Sequence, residues 1–401
     1  MAYTAPTVSY ATSIGGTYTT LTGVQSILIN RGRQRFQDPI PNTVAVIELI
    51  PADTYATPLA IGQYLDVRTS NSATAPSWFV GRISDVERVY DIPYNAGTGK
   101  APGDRIIITV QGAIGVAGQA GTLNYAATGV ANEAMRYALG EADVGYYGYS
   151  LTGSPGYDVA VTIPSSDILN KGILDTLNAL ARSCNVTFDD MDNQRATYTY
   201  LSSTYNLLAT TNEWQNYRPF TLSDNPGVGE YKYSQIRYLS GALNAFNSVQ
   251  VDGYDGSGLT PQVSKTGTPP YNAVVFDTNL NTTANMASLA GFILALNNET
   301  SPTPFVVSTS TAVADGCEVL AYMGANPSKT VTSLNGATPL NSQVTIEFRG
   351  TTVVGQLQGL QIAFYPDRAN VDFFLSPSLG VPFILDSTSF GVLDTNRLGF
   401  P

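Results

Sequence analysis

Between Ser26 and Arg88 the apolar residues recur at alternate positions in three separate runs, and no other feature of the 401-residue chain restricts its fold so tightly. Ile27 and Ile29 alternate with polar neighbours, Val44, Val46 and Leu49 nearly do, and Val80, Ile83 and Val86 follow Trp78. A period of two sends successive side chains to opposite faces of a strand, so each run predicts a strand with one dry face. Asp38-Pro39, Pro41-Asn42 and Ser70-Asn71-Ser72 separate the runs, which makes the segment an antiparallel meander joined by turns. A sheet of this kind has sticky edges and must close into a barrel or have them covered.

A further strand is predicted over Arg105 to Val110, behind a glycine-rich loop from Asn95 to Gly103. Lys100 in that loop invites a phosphate-binding reading. The GxxxxGK[ST] pattern is absent, however, and the loop joins two strands instead of opening a helix, so it reads as a hairpin connection. From Thr128 the period changes. Val130, Ala131, Ala134, Met135, Ala138 and Leu139 fit a short helix, with Thr128 as N-cap and Gly140 as its stop. A stronger helix opens behind Pro164-Ser165-Ser166-Asp167, with Leu169, Ile173, Leu177, Leu180, Ala181 and Cys184 along one face, as packing against a sheet requires. Its partner strands are Val186 to Phe188 and Ala196 to Leu201, joined by a turn from Asp189 to Asn193.

Residues 206–245 are polar and weakly periodic and read as a linker. A second β-rich unit opens at Phe246, with strands at Ser248–Val251, Ala273–Phe276, Phe305–Val307, Val344–Phe348, Leu360–Phe364 and Val371–Leu375. Within it, Asn285 to Leu296 predicts a helix that turns Met286, Leu289, Ala290, Ile293 and Leu294 inward. The first 20 residues are rich in Thr, Ser, Tyr and Gly and read as an extended arm that a neighbour must order.

Composition narrows the function. Charged residues make up 13% of the chain, against an average of about 25%, and 24 Tyr and 37 Gly help to fill the gap. Interface cores lose charge and gain Tyr, so the balance suits a surface covered by neighbouring subunits; a solitary secreted β-protein of acidic composition is the alternative. The net charge is −11, and no cluster of four or more Lys or Arg occurs, which argues against a protein that grips nucleic acid. Around a channel, the same acidic wall would let DNA slide past.

The chain contains no histidine. Ser-His-Asp and Cys-His catalysis, His-ligated zinc and imidazole bases are therefore all excluded. Carboxylate chemistry survives, with Asp189, Asp190 and Asp192 as candidates on the predicted turn. A DxDxDG loop with a distal Glu, which calcium would want, is missing, and nothing singles out a glycosidase acid pair. No catalytic, cofactor-binding or metal residue is assigned, and the chain is expected not to be an enzyme. Cys184 and Cys317 lie 317 − 184 = 133 residues apart without CxxC spacing and read as two buried thiols. Met1 to Gly16 lacks the basic and apolar regions of a secretory signal, and no apolar run approaches the ~18 residues of a membrane span, so neither is expected.

One ordered set of residues carries a resemblance. A strand ending in Arg31-Gly32-Arg33 is followed by a strand opening at Thr43 and running Val44 to Leu49. A Gly62-Gln63 turn then leads into Leu65-Asp66-Val67-Arg68, and Phe79-Val80-Gly81-Arg82-Ile83-Ser84-Asp85-Val86 completes the set. The set resembles the N-terminal barrel of the minor tail and tail-hub proteins of long-tailed bacteriophages. The helix behind Pro164-Ser165-Ser166-Asp167 and the hairpin that follows it resemble the small α/β domain that hub proteins insert after their first barrel, and the ending Leu-Asp, Gly-x-Leu-Asp, Leu-x-Phe resembles the close of such proteins.

The resemblance implies a mainly β fold with minor α, of α+β class. Two tail-tube-like antiparallel β-barrel modules would carry an inserted small α/β domain and extended termini. The expected division is an arm over 1–20, a first barrel over 21–122, the small domain over 123–205, a linker over 206–245, a second β domain with a helix over 246–375 and an extended end over 376–401.

It further implies a structural virion protein, assembled in the host cytoplasm, whose ring closes the distal end of a tail tube and lines the DNA exit. Its partners would be copies of itself, three favoured and six as the alternative of a distal tail protein, with tail-tube, tape-measure and tail-tip proteins. No cofactor is implied, and DNA would pass without specific binding. A carbohydrate-binding adhesin, with Tyr146, Tyr147 and Tyr149 stacking on sugars, is the other reading.

Overall fold

The computed structural model of the chain describes residues 3–13, 16–50, 59–70, 77–91, 101, 103–122, 126–141, 144–148, 159–164, 172–189, 205–211, 220–238, 246–296, 304–312, 319–320, 323, 340, 343–377, 382–383 and 397–398. The first seven strands are β1 (Thr7–Ala11), β2 (Thr19–Thr20), β3 (Val24–Gly32), β4 (Val44–Leu49), β5 (Tyr64–Arg68), β6 (Ser77–Val89) and β7 (Arg105–Gln111). A helical unit follows, with α1 (Ala113–Gln119), β8 (Ala127–Val130), α2 (Ala131–Glu141), β9 (Val144–Gly148), β10 (Ala160–Ile163), α3 (Ile173–Ser183), β11 (Val186–Asp189) and β12 (Tyr205–Thr211). Then come β13 (Phe220–Ser223), β14 (Glu230–Lys232), β15 (Gln235–Arg237), β16 (Ser248–Asp252), β17 (Gln262–Lys265), β18 (Ala273–Asp277) and α4 (Thr283–Leu296). The chain returns through β19 (Val306–Ser310), β20 (Gln343–Phe348), β21 (Thr351–Phe364) and β22 (Ala369–Pro377).

Fourteen of these strands form one mixed sheet, and β21 divides it. One edge of β21 pairs with β20 through its first half and with β3 through its second, while the other edge pairs with β22. The strands thus fall into two sets, β3-β4-β7-β6-β5-β1-β2 and β14-β13-β20-β21-β22-β19-β15, joined where β3 lies along β21. In the second set, Glu230 to Arg237 pairs with β13 at its start and with β19 at its end, and the Ser234 N–H donates to the Ser308 carbonyl at 2.8 Å between them.

Alternation explains the first set. Ile27 and Ile29 of β3, Ala45, Ile47 and Leu49 of β4, and Ile106, Ile108 and Val110 of β7 all point into one core. The expected meander differs in order, because β7 lies between β4 and β6 and β5 pairs with β6 and β1. In this order β7 pairs its backbone on both edges while Ile106, Ile108 and Val110 point from one face into the core. The same core runs on through Val344, Ile346, Leu360, Ile362 and Phe373, so both sets share it.

Two smaller cores sit beside it. α1, α2 and α3 bury Ile114, Met135, Leu139, Leu177 and Leu180 together with Val161 and Phe188. The three-stranded sheet β17-β16-β18 and α4 bury Val249, Val251, Phe276, Met286 and Ile293. Hydrogen bonds tie these two units: the Asn279 N–H donates to Ser183 Oγ at 2.9 Å, and Asn279 Nδ2 to the Thr162 carbonyl at 3.2 Å.

Several expectations need correction. Residues 1–20 are not merely an arm: β1 pairs with β5, Val8 and Ala11 are buried, and Tyr3 Oη donates to the Tyr365 carbonyl at 2.8 Å. Thr128 caps no helix, since it lies in β8 opposite Thr162 and α2 begins at Ala131; pairing with β10 captures the segment first. The expected linker over 206–245 contains most of β12 and all of β13, β14 and β15, the last three too short to show a period. The second β unit is interrupted as well, because β16 to β18 and α4 form their own sheet and core before β19 returns to the large one. The helix α1 has no counterpart in the sequence reading; its residues Ala-Ile-Gly-Val-Ala-Gly-Gln carry too little periodicity.

Candidate functional site

The three cores meet around Arg33. The alternation that turns Ile27 and Ile29 inward continues through Arg31 and Arg33, so both arginines occupy interior positions and both are buried. Gly32 makes the crossing possible. Its φ is +67°, and a Cβ there would overlap the Gln358 carbonyl oxygen, so only glycine fits without strain. Opposite it, β21 carries a bulge between Leu357 and Gly359, and Gly359 pairs with Gly32. The bulge turns Gln358 inward to full burial.

Arg33 is therefore gripped by neutral groups. Its N–H donates to the Gln358 carbonyl at 3.0 Å, its Nε to Gln358 Oε1 at 2.8 Å and its Nη2 to Thr187 Oγ1 at 3.2 Å. The guanidinium lies 4.6 Å from the centre of the Phe36 ring. Phe36 packs on Phe276 at 6.4 Å between ring centres, and Arg182 of α3 lies 5.7 Å from the centre of the Phe276 ring. Two guanidiniums thus flank a pair of aromatic rings.

A narrow cleft, partly open to solvent, lies between these elements, with about 10 Å³ of space, roughly one water. Arg33, Asp38, Asn178, Arg182 and Asn185 line it with Phe276. Asn178 Oδ1 accepts the Ile40 N–H at 2.8 Å, which holds the 33–40 segment against α3. Asn185, at φ +54°, ends the helix in the left-handed conformation that asparagine tolerates better than most residues. Asp38 Oδ2 accepts the Arg35 N–H at 3.0 Å and makes no ion pair with Arg33. Burial first, and then the like charge of Arg182, pushes Arg33 down to about 9, against an upward pull from Asp38. Burial also lowers Arg182, with Asp277 opposing it. A guanidinium stays protonated at neutral pH all the same, so the shift reflects the cost of burying charge, which Asp38 offsets only in part.

A second buried charge is paired. On β5 Arg68 Nε lies 2.7 Å from Asp66 Oδ2, and Ser77 Oγ donates to Asp66 Oδ1 at 2.7 Å. Burial raises the Asp66 carboxyl above its ordinary value despite these partners.

No family sequence model matches the chain, and no curated protein matches it by sequence. Solved structures do. The 43 kDa tail protein of prophage MuSo2 from Shewanella oneidensis aligns with a TM-score of 0.55 at 12% identity, over 93% of this chain and 98% of its own. The tail protein from Neisseria meningitidis MC58 gives 0.56 at 12% identity, over 94% and 97%.

This is a phage tail-protein fold. Prophage tail protein gp18 from Listeria monocytogenes EGD-e shares it, with a TM-score of 0.51 at 10% identity over 92% of this chain and 94% of that one. Within the tail-protein fold, the residues singled out by sequence are placed as follows where the structure describes them. Asp189 ends β11, Tyr146 and Tyr147 lie on β9 instead of in a loop, and Cys184 packs in the helical core. Asp190, Asp192, Tyr149, Lys100 and Cys317 lie outside the described residues, as do most of residues 376–401. Among the described residues no group of three Asp, Glu or Cys could hold a metal, and no helix is long and apolar enough to cross a membrane. The Arg33 cleft was missed, although one signal for it was present: the arginines fall in the register that the alternation assigns to the interior.

Proposed function

We propose that the chain is a structural subunit of a phage tail, a hub or minor tail protein whose copies form a ring closing the distal end of the tail tube around the DNA exit. The observation that carries this is the likeness of fold to tail proteins over more than nine-tenths of the chain and of theirs. Two features of the sheet support the finer reading. The strands divide at β21 into two sets of seven, as two tube-like modules require. The Glu230 to Arg237 segment, pairing with both β13 and β19, brings the ends of the second set together as a barrel would.

Three subunits with two modules each would present six similar units to a six-fold tube, which is the advantage of a trimer over a hexamer here. The small β17-β16-β18 sheet supports burial by neighbours. Its outer face carries Val263 and Val275 on either side of Gln250, with Tyr271 close by, and all three of Val263, Val275 and Tyr271 are exposed. Tail-tube and tail-tip proteins would be the remaining partners, and the role is mechanical, not catalytic. End-on electron microscopy of the purified oligomer tests this reading: a hollow ring with three-fold symmetry is expected, and compact particles without a central channel contradict it.

A further inference from the structure

We infer that two matched turns, residues 60–63 and 227–230, are docking knobs, each seating one aliphatic side chain in an apolar socket that the end of the tail tube repeats around its axis. This rests on the three-subunit ring proposed above. The turns share four features. An N–H to C=O bond of 3.3 Å closes each, from Gln63 to Ala60 and from Glu230 to Gly227. The third residue is a glycine at positive φ, +90° at Gly62 and +83° at Gly229, as a type II turn requires. The fourth side chain reaches back to the first N–H: Gln63 Oε1 accepts from Ala60 at 2.9 Å, and Glu230 Oε2 from Gly227 at 2.7 Å. The second residue is aliphatic. Ile61 is 70% exposed and Val228 fully exposed, the two highest values among the described large apolar residues.

One exposed aliphatic side chain needs no explanation. The same clamped turn built twice does, because turns in water favour Gly, Pro, Asn, Asp and Ser, and the fold gains little from side chains so exposed. One turn leads into β5 in the first strand set, and the other opens β14 in the second. β3 and β20 both run antiparallel to β21. Four antiparallel steps lead from β3 to β5 and two parallel steps from β20 to β14, so β5 and β14 run in the same sense and both tips face the same way along the strands. A neighbouring copy would offer the two tips different surfaces, because the sets differ in strand order. A ring of identical tube subunits offers the same socket at every step, and three chains with two tips each supply six. The clamp also reduces the cost of ordering each loop on contact.

Ile61→Thr, Val228→Thr and the double variant keep the β-branch and the turn while removing the apolar tip. Co-sedimentation with tail tubes of the same phage reads the affinity, and light scattering on the same samples reads the mass. Each single substitution is expected to weaken tube binding about tenfold and the pair about a hundredfold, the losses adding because the tips are separate, while the mass stays unchanged. Wild-type affinity in the double variant at unchanged mass overturns the inference and leaves the ring standing, as does a loss confined to one tip. A mass that falls on substitution also overturns it, because the tips then seat against a neighbouring copy. A wild-type chain that stays single and does not bind the tube removes the ring reading and this inference with it.

Discussion

Gly32 shows how much a single position decides. With φ at +67° and the Gln358 carbonyl where a Cβ would go, Gly32→Ala meets both backbone strain and overlap, and a loss of more than about 2 kcal/mol in urea unfolding is expected. Asn185 also has a positive φ, +54°, so Asn185→Gly should leave stability within about 1 kcal/mol and Asn185→Val should cost about 1–2 kcal/mol. Asp66 gives a pH signature. Its folded carboxyl titrates above the unfolded value, so on acidification the folded state takes up that proton first and gains stability relative to the unfolded chain. The penalty of Asp66→Asn, which leaves Arg68 short of its counter-ion, should therefore grow as pH falls from neutral toward about 4; a penalty that shrinks over that range would contradict the assignment. Gly32 and Asp66 belong to the motifs that carry the resemblance, but nothing local in the sequence gives the physical role of either. Gly32 is one of 37 glycines, and its role depends on a strand more than 300 residues away.

At the scale of elements, the strands with clear alternation were legible and the rest were not. β3 and β7 bury alternate side chains, so their burial shows as a period of two, and Ile108→Ala at a fully buried position should cost about 2–5 kcal/mol; in β4 the reading that turned Val44 and Val46 inward was in the wrong register, because Ala45, Ile47 and Leu49 are the buried residues. α3 and α4 were legible because Leu177 with Leu180 and Leu289 with Ile293 keep helical spacing. β1, β13, β14 and β15 were not. They are three to five residues long, and long-range pairing makes them strands where local preference does not. Strand order escaped for the same reason, since nothing in the β4 and β7 sequences says that they are neighbours. On the small sheet, Val263→Lys and Val275→Lys place charge on an exposed face. Unfolding of the subunit should be little changed while self-association weakens at least tenfold, as measured by sedimentation.

For the whole molecule, a mainly β chain with a small helical unit was readable from pattern and resemblance, and the division at β21 was not. That strand is 14 residues long and serves both sets at once, pairing with three partners drawn from the two ends of the chain. The low content of charge and the 24 tyrosines fit the proposed ring, because a subunit enclosed by copies of itself would need little charge to stay soluble. The central claim is that the chain works as a closed ring of copies, and the mass of the purified protein by light scattering tests it most directly. Three times 42.6 kDa is the value expected, with six times that mass indicating the hexameric form of the ring. A particle that stays at 42.6 kDa at every concentration, alone and with its tail-tube partner, would contradict the account.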